Sequence, residues 1–492
     1  MNLANYLFER SKYLQKDVIA GTDEHISYPA LFEQVKKVSY FLSQNFKRGE
    51  KIGILSENSS FFIASYLGII KAGCIAIPFD KRISTDDVRE IVSICQIQSI
   101  FAQKKFIKRL VDIAILNEDD LEKICLESIS DNLLNKYDGS GDDLAVIVFT
   151  SGSTRRQKGV MLSHKNIITN TESIIEYLQL TEKDRIEVVL PFFYCYGTSL
   201  LHTHLRVGGS MVLNKSIFIG SVIKEINEYE CTGFAGVPTT FQILLRKTDF
   251  IKNRFPTLRY ITQAGGRLAD CFIEELRDGL PTVDIVIMYG QTEATARLSY
   301  LPPNMLKSKV GSVGKGISGV ELKVVNKEGD SVAQEEVGEI IAKGDNIMLG
   351  YYNDAKETEK VLKNGYLYTG DLATIDDDGY IYITAREKDI IKSAGYRVNP
   401  KEIEDMILSC SKIIDCAVLG IEDDLLGEAI VVYIVAKDKD IALINEIESL
   451  CNEKLPSYKN PKYIEFIDMI PLNSSMKVDK PTLREIARKQ FL

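Results

Sequence analysis

The chain has 492 residues, 45% of them hydrophobic and 26% charged, with a formal net charge of −9. That length exceeds one ordinary hydrophobic core and calls for at least two domains. The composition is that of a globular protein, and the acidic balance argues against nonspecific binding to nucleic acid or to an anionic membrane.

The N-terminus, Met1-Asn2-Leu3-Ala4-Asn5, has no basic-then-apolar leader pattern. The most apolar stretch, Phe61 to Phe79, is interrupted by Lys71, and Gly73 and Pro78 divide it into helix, turn and strand. No membrane span is expected from it. Nine cysteines are scattered without a Cys-x-x-Cys pair, which favours reduced thiols in a cytoplasmic protein. The four histidines, His25, His164, His202 and His204, are poorly placed for a Ser-His-Asp hydrolase; His164 reads as part of a helix-entry turn, and His202 and His204 as structural.

Leu144–Phe149 is an apolar run and predicts a buried parallel strand. It is followed by Thr150-Ser151-Gly152-Ser153-Thr154-Arg155-Arg156-Gln157-Lys158-Gly159. Hydroxyls, glycines and a lysine just past a strand suit a polyphosphate: backbone N–H groups and hydroxyls wrap its oxygens, and Lys158 adds a point charge. Gln157 stands where a Walker A loop needs glycine, so this is a different phosphate loop.

Strands and helices then alternate. Helices are expected over His164–Leu178, Thr198–Leu205, Ser221–Tyr229, Phe241–Arg246 and Cys271–Leu280. Strands are expected over Ile186–Leu190, Met211–Leu213, Gly233–Val237 and Leu258–Thr262. Such alternation predicts an α/β fold with mostly parallel, helix-covered sheets, whose ligands bind beyond the strands' carboxyl ends. From Val310 to Thr384, glycine-rich turns and short strands predict a β-rich subdomain. After Asp389 a small α+β unit is expected, with strands Ile413–Ile421 and Ile430–Ala436 and a helix whose face is marked by Ile444, Ile447, Leu450 and Leu455.

Four further segments bear on function: Tyr289-Gly290-Gln291-Thr292-Glu293, Tyr368-Thr369-Gly370-Asp371, Arg386-Glu387-Lys388-Asp389 with the following Gly395-Tyr396-Arg397, and Pro471-Leu472-Asn473-Ser474-Ser475-Met476-Lys477. With the phosphate loop, in this order and spacing, they resemble the adenylate-forming superfamily: acyl-CoA synthetases, peptide-synthetase adenylation domains and luciferases. The resemblance spans nearly the whole chain. It implies a large N-terminal domain, residues 1–387, made of parallel βα-layered sheets plus a β-rich subdomain. A small mobile α+β domain, residues 388–492, would follow a hinge at Lys388.

The resemblance also implies a chemistry. A carboxylic acid is activated by ATP as acyl-AMP, pyrophosphate leaves, and the acyl group passes to a thiol of CoA or of carrier-protein phosphopantetheine. Two anions must meet in the first step, so the site needs cations and oriented dipoles. Thr150, Ser151, Gly152, Ser153, Thr154 and Lys158 would hold the outer phosphates, Glu293 would bind Mg²⁺, and Thr292 would touch the α-phosphate. Lys477 would bridge the carboxylate and the α-phosphate. Ala264, Gly265 and Gly266 would let backbone approach the adenine, Tyr289 would stack on it, and Asp371 and Arg386 would bind the ribose. Gly395 and Arg397 would line the thiol tunnel in a second orientation of the small domain.

The chain departs from the family pattern at Arg155, Gln157, Ala385 and Met476, so a catalytically degenerate nucleotide-binding homologue is the alternative of a different class. Amino-acid-activating relatives place an aspartate near the segments Pro191 to Gly197 and Phe234 to Pro238, and neither segment has a carboxylate here. An acid without an α-amino group is therefore favoured over an amino acid, with Phe192, Phe193, Tyr194, Tyr196, Val237 and Thr239 as candidate walls of its pocket. CoA is preferred as acceptor, and the lysine-rich stretch after residue 453 keeps an acidic carrier protein open.

Overall fold

The structure is a computed structural model and describes residues 1–21, 24–127, 139–150, 157–216, 218–473 and 477–491. Four sheets organise the described residues. In the nine-stranded sheet, Asp284–Tyr289, Tyr260–Gln263, Gly233–Gly236, Arg185–Val188, Ser210–Leu213 and Asp17–Ile19 run parallel in that spatial order, with antiparallel strands at both edges. A seven-stranded sheet is built around Lys51–Leu55, Ile75–Pro78 and Leu144–Thr150. The helices Tyr28–Asn45, Ser60–Lys71, His164–Leu178 and Cys195–Val207 share one apolar core with both of these sheets. Tyr28, Val38, Ile70 and Leu201 are fully buried in it.

The expected βα alternation is present, with ends displaced by a few residues. The helix His164–Leu178 agrees at both ends, and the helix expected over Thr198–Leu205 runs Cys195–Val207. One expectation fails in its partner. Leu144–Thr150 runs parallel to Ile75–Pro78 on one side, but on the other it pairs antiparallel with an unexpected strand, Lys158–Ser163, in the register Thr150↔Lys158. The phosphate segment is thus the connection of a β-hairpin. The strand carries no clean alternation, since Gly159, Val160, Leu162 and Ser163 are all buried.

The β-rich region forms a five-stranded antiparallel sheet containing Val320–Val325, Gly338–Gly344, Tyr366–Ile375 and Ile381–Arg386. The C-terminal region contains a sheet of Ile391–Ser393, Tyr396–Val398, Ile413–Asp423, Gly427–Ala436 and Tyr463–Phe466. Its helix Ile441–Lys454 buries Leu443, Ile447 and Cys451. The expected face was therefore rotated: Ile444 and Leu450 are only partly buried, and Leu455 lies beyond the helix. This region meets the rest of the chain through Arg267 with Asp405, Cys271 Sγ with the Leu408 carbonyl (3.5 Å) and Arg82 with the Asn473 carbonyl (2.7 Å).

His164, His202 and His204 are buried with hydrogen-bond partners, as expected. His164 Nδ1 accepts from the Leu3 N–H at 3.1 Å, His202 Nε2 bonds the Tyr66 hydroxyl at 3.1 Å, and His204 Nδ1 donates to the Leu200 carbonyl at 2.9 Å. Burial lowers all three, to about 4, 3 and 4 respectively, so they are neutral at physiological pH. No helix among the described residues is long and apolar enough to cross a membrane.

The helix pair at the N-terminal end is set by Gly68. A Cβ there would lie 2.7 Å from Val38 Cβ, closer than packed carbon atoms approach. Gly68→Leu is expected to destabilise the protein by about 1–3 kcal/mol, read as a lower denaturant midpoint with unchanged slope.

Candidate active site

The carboxyl ends of the parallel strands converge on one cleft. Ala264-Gly265-Gly266 follows Tyr260–Gln263, and Gly290-Gln291-Thr292-Glu293 follows Asp284–Tyr289. Val237 and Thr239, at the start of the helix Pro238–Lys247, follow Gly233–Gly236. Gly265 has φ +90°, a conformation that favours glycine, and a Cβ there would stand 3.0 Å from Val237 Cγ1, 3.5 Å from Tyr194 Oη and 3.6 Å from Lys477 Cε.

Lys477, on the C-terminal region, therefore enters this cleft. Its Nζ lies 5.4 Å from the centroid of the Tyr194 ring. Burial, then the neighbouring Arg386, pushes its ammonium below the usual lysine range, while Asp371 and Glu293 oppose that shift. Tyr194 and Val237 are buried beside it, and Thr239 is buried two residues after Val237. Tyr196 is fully occupied: its hydroxyl meets Thr262 Oγ1 at 2.8 Å and the Thr262 carbonyl at 3.0 Å.

Asp371, Arg386 and Tyr289 form one unit. Asp371 and Arg386 are register partners on adjacent strands. Arg386 Nε donates to Asp371 Oδ1 at 2.7 Å, and the Tyr289 hydroxyl donates to Oδ2 at 2.8 Å. A carboxylate has about four lone-pair sites, so this buried Asp371 keeps acceptor capacity for a vicinal diol. The geometry adds a role for Tyr289 that its residue type alone did not reveal, namely orienting Asp371.

Thr292 and Glu293 open a short 3₁₀ turn, Thr292–Ala294. Thr295 then takes φ +67° and ψ −62°, and the Ala296 N–H bonds the Ala294 carbonyl at 2.7 Å. This is a γ-turn of the rare strained hand, at a β-branched residue. Thr295 Oγ1 donates to the Asn346 carbonyl at 2.7 Å, and Asn346 Nδ2 donates to the Arg297 carbonyl at 2.9 Å, which hold the turn. Thr292 Oγ1 donates to Cys195 Sγ at 3.5 Å, and the Tyr351 hydroxyl donates to Glu293 Oε1 at 2.9 Å.

Lys158 sits at the same end, with Nζ 4.8 Å from the Tyr351 ring centroid and 2.6 Å from Glu357 Oε2. Lys158 and Lys360 hold Glu357 down at about 2. Thr150 is the last residue of its strand, and Ser151, Gly152, Ser153 and Thr154 lie outside the described residues, as do Arg155 and Met476. Lys388 is exposed in the 3₁₀ turn Glu387–Asp389. Gly395 has φ +82° with open space around it, and Arg397 is exposed on the next strand. The structure thus gathers Lys477, Tyr194, Gly265, Thr292, Glu293 and the Asp371 unit at one cleft, and it leaves Gly395 and Arg397 on an open surface.

The site fits the implied ligands. Mg²⁺ is held through one or two carboxylates plus substrate phosphates, and Glu293 offers a carboxylate beside Lys158 and Tyr351. Gln291 Nε2 is a buried donor without a partner among the described residues, a group that a nucleotide acceptor would satisfy. Behind the cleft lie two small internal voids, each with room for little more than a water molecule. Cys195, Thr198 and His202 line the first, and Thr203, Met288 and Arg297 the second. Cys195, Tyr351, Glu357 and Arg297 were not singled out by sequence. Only the position of Arg297, four residues past Glu293, offered any cue.

Residues 8–352 match the AMP-binding enzyme family, and residues 402–477 match the AMP-binding enzyme C-terminal domain. The chain belongs to this family, the adenylate-forming superfamily. It is 28% identical over 494 residues to 2-succinylbenzoate–CoA ligase of Bacillus subtilis, covering 99% of both chains. It is 27% identical over 533 residues to a long-chain-fatty-acid–CoA ligase of Salmonella typhimurium, covering 98% of this chain and 94% of that one. Among solved structures, the o-succinylbenzoate CoA synthetase of Bacillus subtilis with its acyl-adenylate intermediate superposes with a TM-score of 0.86 at 26% identity, covering 98% of each chain. An anthranilate CoA ligase with anthranoyl-AMP shares the fold, with a TM-score of 0.90 at 24% identity over 99% of this chain and 97% of that one.

Two outcomes test the geometry. Tyr289→Phe removes one of two donors that aim Asp371 and is expected to raise the KM for ATP about tenfold, or ~1.4 kcal/mol, with little change in kcat. Glu357→Gln releases Lys158 for the phosphates and is expected to lower that KM by up to about fivefold, the scale of a partly exposed ion pair. A rise instead would make Glu357 a direct contributor to ATP binding.

Proposed function

We propose that this protein is an AMP-forming acid–thiol ligase that activates a carboxylic acid lacking an α-amino group and transfers it to CoA. The observation that carries this reading is Lys477: a cation brought from the C-terminal region into a cleft already holding Tyr194, Gly265, Glu293 and Asp371. In the first step a carboxylate oxygen attacks the α-phosphorus, the bond to the bridging oxygen breaks, and pyrophosphate leaves. Lys477 lies where it would neutralise charge on the incoming carboxylate and the α-phosphate oxygens. Thr292 would orient the α-phosphate, Asp371 with Arg386 would fix the ribose, and Lys158 would hold the outer phosphates. Mg²⁺, bound through Glu293, would screen the triphosphate charge.

Among the described residues, no aspartate or glutamate lines either cavity. A buried ammonium would be left unpaired there, at a high desolvation cost. The relatives act by name on acids as different as 2-succinylbenzoate and long-chain fatty acids, so the pocket itself must define the acid. In the second step the thiol sulfur attacks the acyl carbonyl, AMP leaves, and the thiol proton is lost. CoA is favoured over a carrier protein because the basic stretch is internally neutralised. Lys459 pairs with Glu402, Lys462 with Asp423 and Lys480 with Asp389.

The two steps need different faces of the C-terminal region. Residues 388–492 are the proposed mobile domain and Lys388 the proposed hinge. The present arrangement presents Lys477, while Gly395 and Arg397 face open space, where they would line the thiol path after rotation. Acid-dependent exchange of labelled pyrophosphate into ATP is the direct test of adenylation, and its absence with every acid would leave the degenerate-homologue reading. Lys477→Ala is expected to slow that exchange by ~10²–10³, or about 3–4 kcal/mol, while a supplied acyl-adenylate still reacts with CoA. Gly395→Leu should do the reverse. Equal loss of both half-reactions in both variants would show that one arrangement serves both steps.

A further inference from the structure

The C-terminal region packs on the helices Pro238–Lys247 and Asp270–Gly279 of the N-terminal region. Ile403, Ile407 and Val418 join Phe241, Leu244 and Phe272 there in one buried apolar cluster. Besides Arg267 with Asp405, a second polar pair crosses this contact. The Gln242 side chain donates to the carboxyl of Asp415, on the strand Ile413–Asp423. Gln242 is 5% exposed, and its Oε1 is buried with no hydrogen-bond partner among the described residues. An amide oxygen left unpaired in a buried contact is costly.

No cation among the described residues is left over for Asp415. Lys401, on the helix Pro400–Leu408, is taken by Glu404, and Arg267 by Asp405 and Asp270. Glu404 faces Asp415 as a like charge, with its Oε1 accepting from the Val418 N–H at 3.0 Å. Val435 is the register partner of Asp415 on the neighbouring strand. The Cys416 N–H donates to Asp415 Oδ1 at 2.9 Å, and the Cys416 thiol donates to the Glu404 carbonyl at 3.6 Å. Burial, then Glu404, push the Asp415 carboxyl up to about 7, against the Cys416 N–H, Lys401 and Gln242.

A neutral carboxyl completes this contact. Its O–H donates to Gln242 Oε1 while its other oxygen keeps the amide N–H, so one proton satisfies both side chains. An ionised carboxylate is acceptor-only and leaves Oε1 orphaned. We propose that docking of the C-terminal region takes up one proton from solvent at Asp415, so that pH sets the balance between the two arrangements of the enzyme. Docked, with Lys477 in the cleft, Asp415 is neutral and paired with Gln242. Undocked, it meets water, ionises and returns the proton. A proton that binds one state better shifts the population toward that state. This inference rests on the ligase reading and on the two arrangements proposed with it.

The direction follows from linkage. Docking is favoured most below the ordinary aspartate value of ~3.9, and the advantage is lost as pH rises toward the docked value of about 7. The docking constant is therefore expected to fall about tenfold between pH 6 and pH 8 and to level off above that.

The test follows both half-reactions across this range in the wild type and in Asp415→Asn. The asparagine amide reproduces the neutral pair, donating to Gln242 Oε1 and accepting in return. Pyrophosphate exchange reads the docked arrangement, and transfer from a supplied acyl-adenylate to CoA reads the other. The quotient of exchange over transfer follows the ratio of the two populations. Ionisation of Lys477 and of the thiol is common to both proteins and cancels when the wild-type quotient is divided by that of the variant. The normalised quotient is expected to fall about tenfold from pH 6 to pH 8. A normalised quotient that stays constant with pH overturns the proposal and leaves the ligase reading standing, as does a variant that slows both half-reactions equally at every pH. If no acid supports exchange, the ligase reading falls and the proposal with it. Gln242→Met withdraws the partner and keeps the bulk, so it decides the matter even if Asp415→Asn does not fold. It should lower the quotient about fivefold, the scale of a lost buried hydrogen bond, through slower exchange with transfer kept, and an unchanged quotient overturns the proposal.

Discussion

Bringing a carboxylate against a triphosphate requires positive charge in a cleft that excludes water, and cations placed there repel one another. The consequence is visible at Lys477, whose ammonium is pushed down first by burial and then by Arg386. Asp371 limits the conflict by taking Arg386 as a close partner, and Tyr351 keeps Glu293 oriented toward the same end. The remaining conflict is managed by connectivity. Lys477 belongs to a region that meets the rest through an apolar cluster, in which Ile403 and Ile407 join the core of Phe241 and Phe272, and through polar links such as Arg267 with Asp405. If that region rotates as proposed, the charge of Lys477 would be imposed on the cleft only in the docked arrangement.

Rigid elements hold everything else. The strands that end at Gln263 and Tyr289 place the glycine pair and the Thr292–Glu293 turn on one edge of the sheet. The strained turn at Thr295 costs conformational energy of order 1–3 kcal/mol, and the hydrogen bonds through Asn346 keep it in place. Strain here serves position: Thr292 on one side of the turn reaches Cys195, and Arg297 on the other reaches Tyr196.

The sequence made the architecture legible wherever a helix or buried strand carried its own periodicity, as in His164–Leu178. It also disclosed most of the cleft, because Asp371, Arg386, Thr292, Glu293 and Lys477 sit in short segments of distinctive spacing. What it hid were features that depend on a neighbour far along the chain. The strand Lys158–Ser163 exists because it pairs back on Leu144–Thr150. The orienting role of Tyr289 needs Asp371, 82 residues away in sequence. The pairing of Lys158 needs Glu357, 199 residues away.

The pairing of Lys158 with Glu357 has a consequence for product departure. Glu357 lies in the helix Ala355–Val361, capped by Asp354 and followed closely by the strand that carries Asp371. An ammonium that lost its phosphate partner in a half-buried pocket would be stranded, and the pyrophosphate would be retained by the attraction that first captured it. A resident counter-ion removes that trap. If Lys158 holds the outer phosphates as proposed, it would have Glu357 to return to as pyrophosphate moved out, and the leaving anion would be exchanged for a tethered one. Release would then be a competition between two anions rather than the creation of an isolated charge.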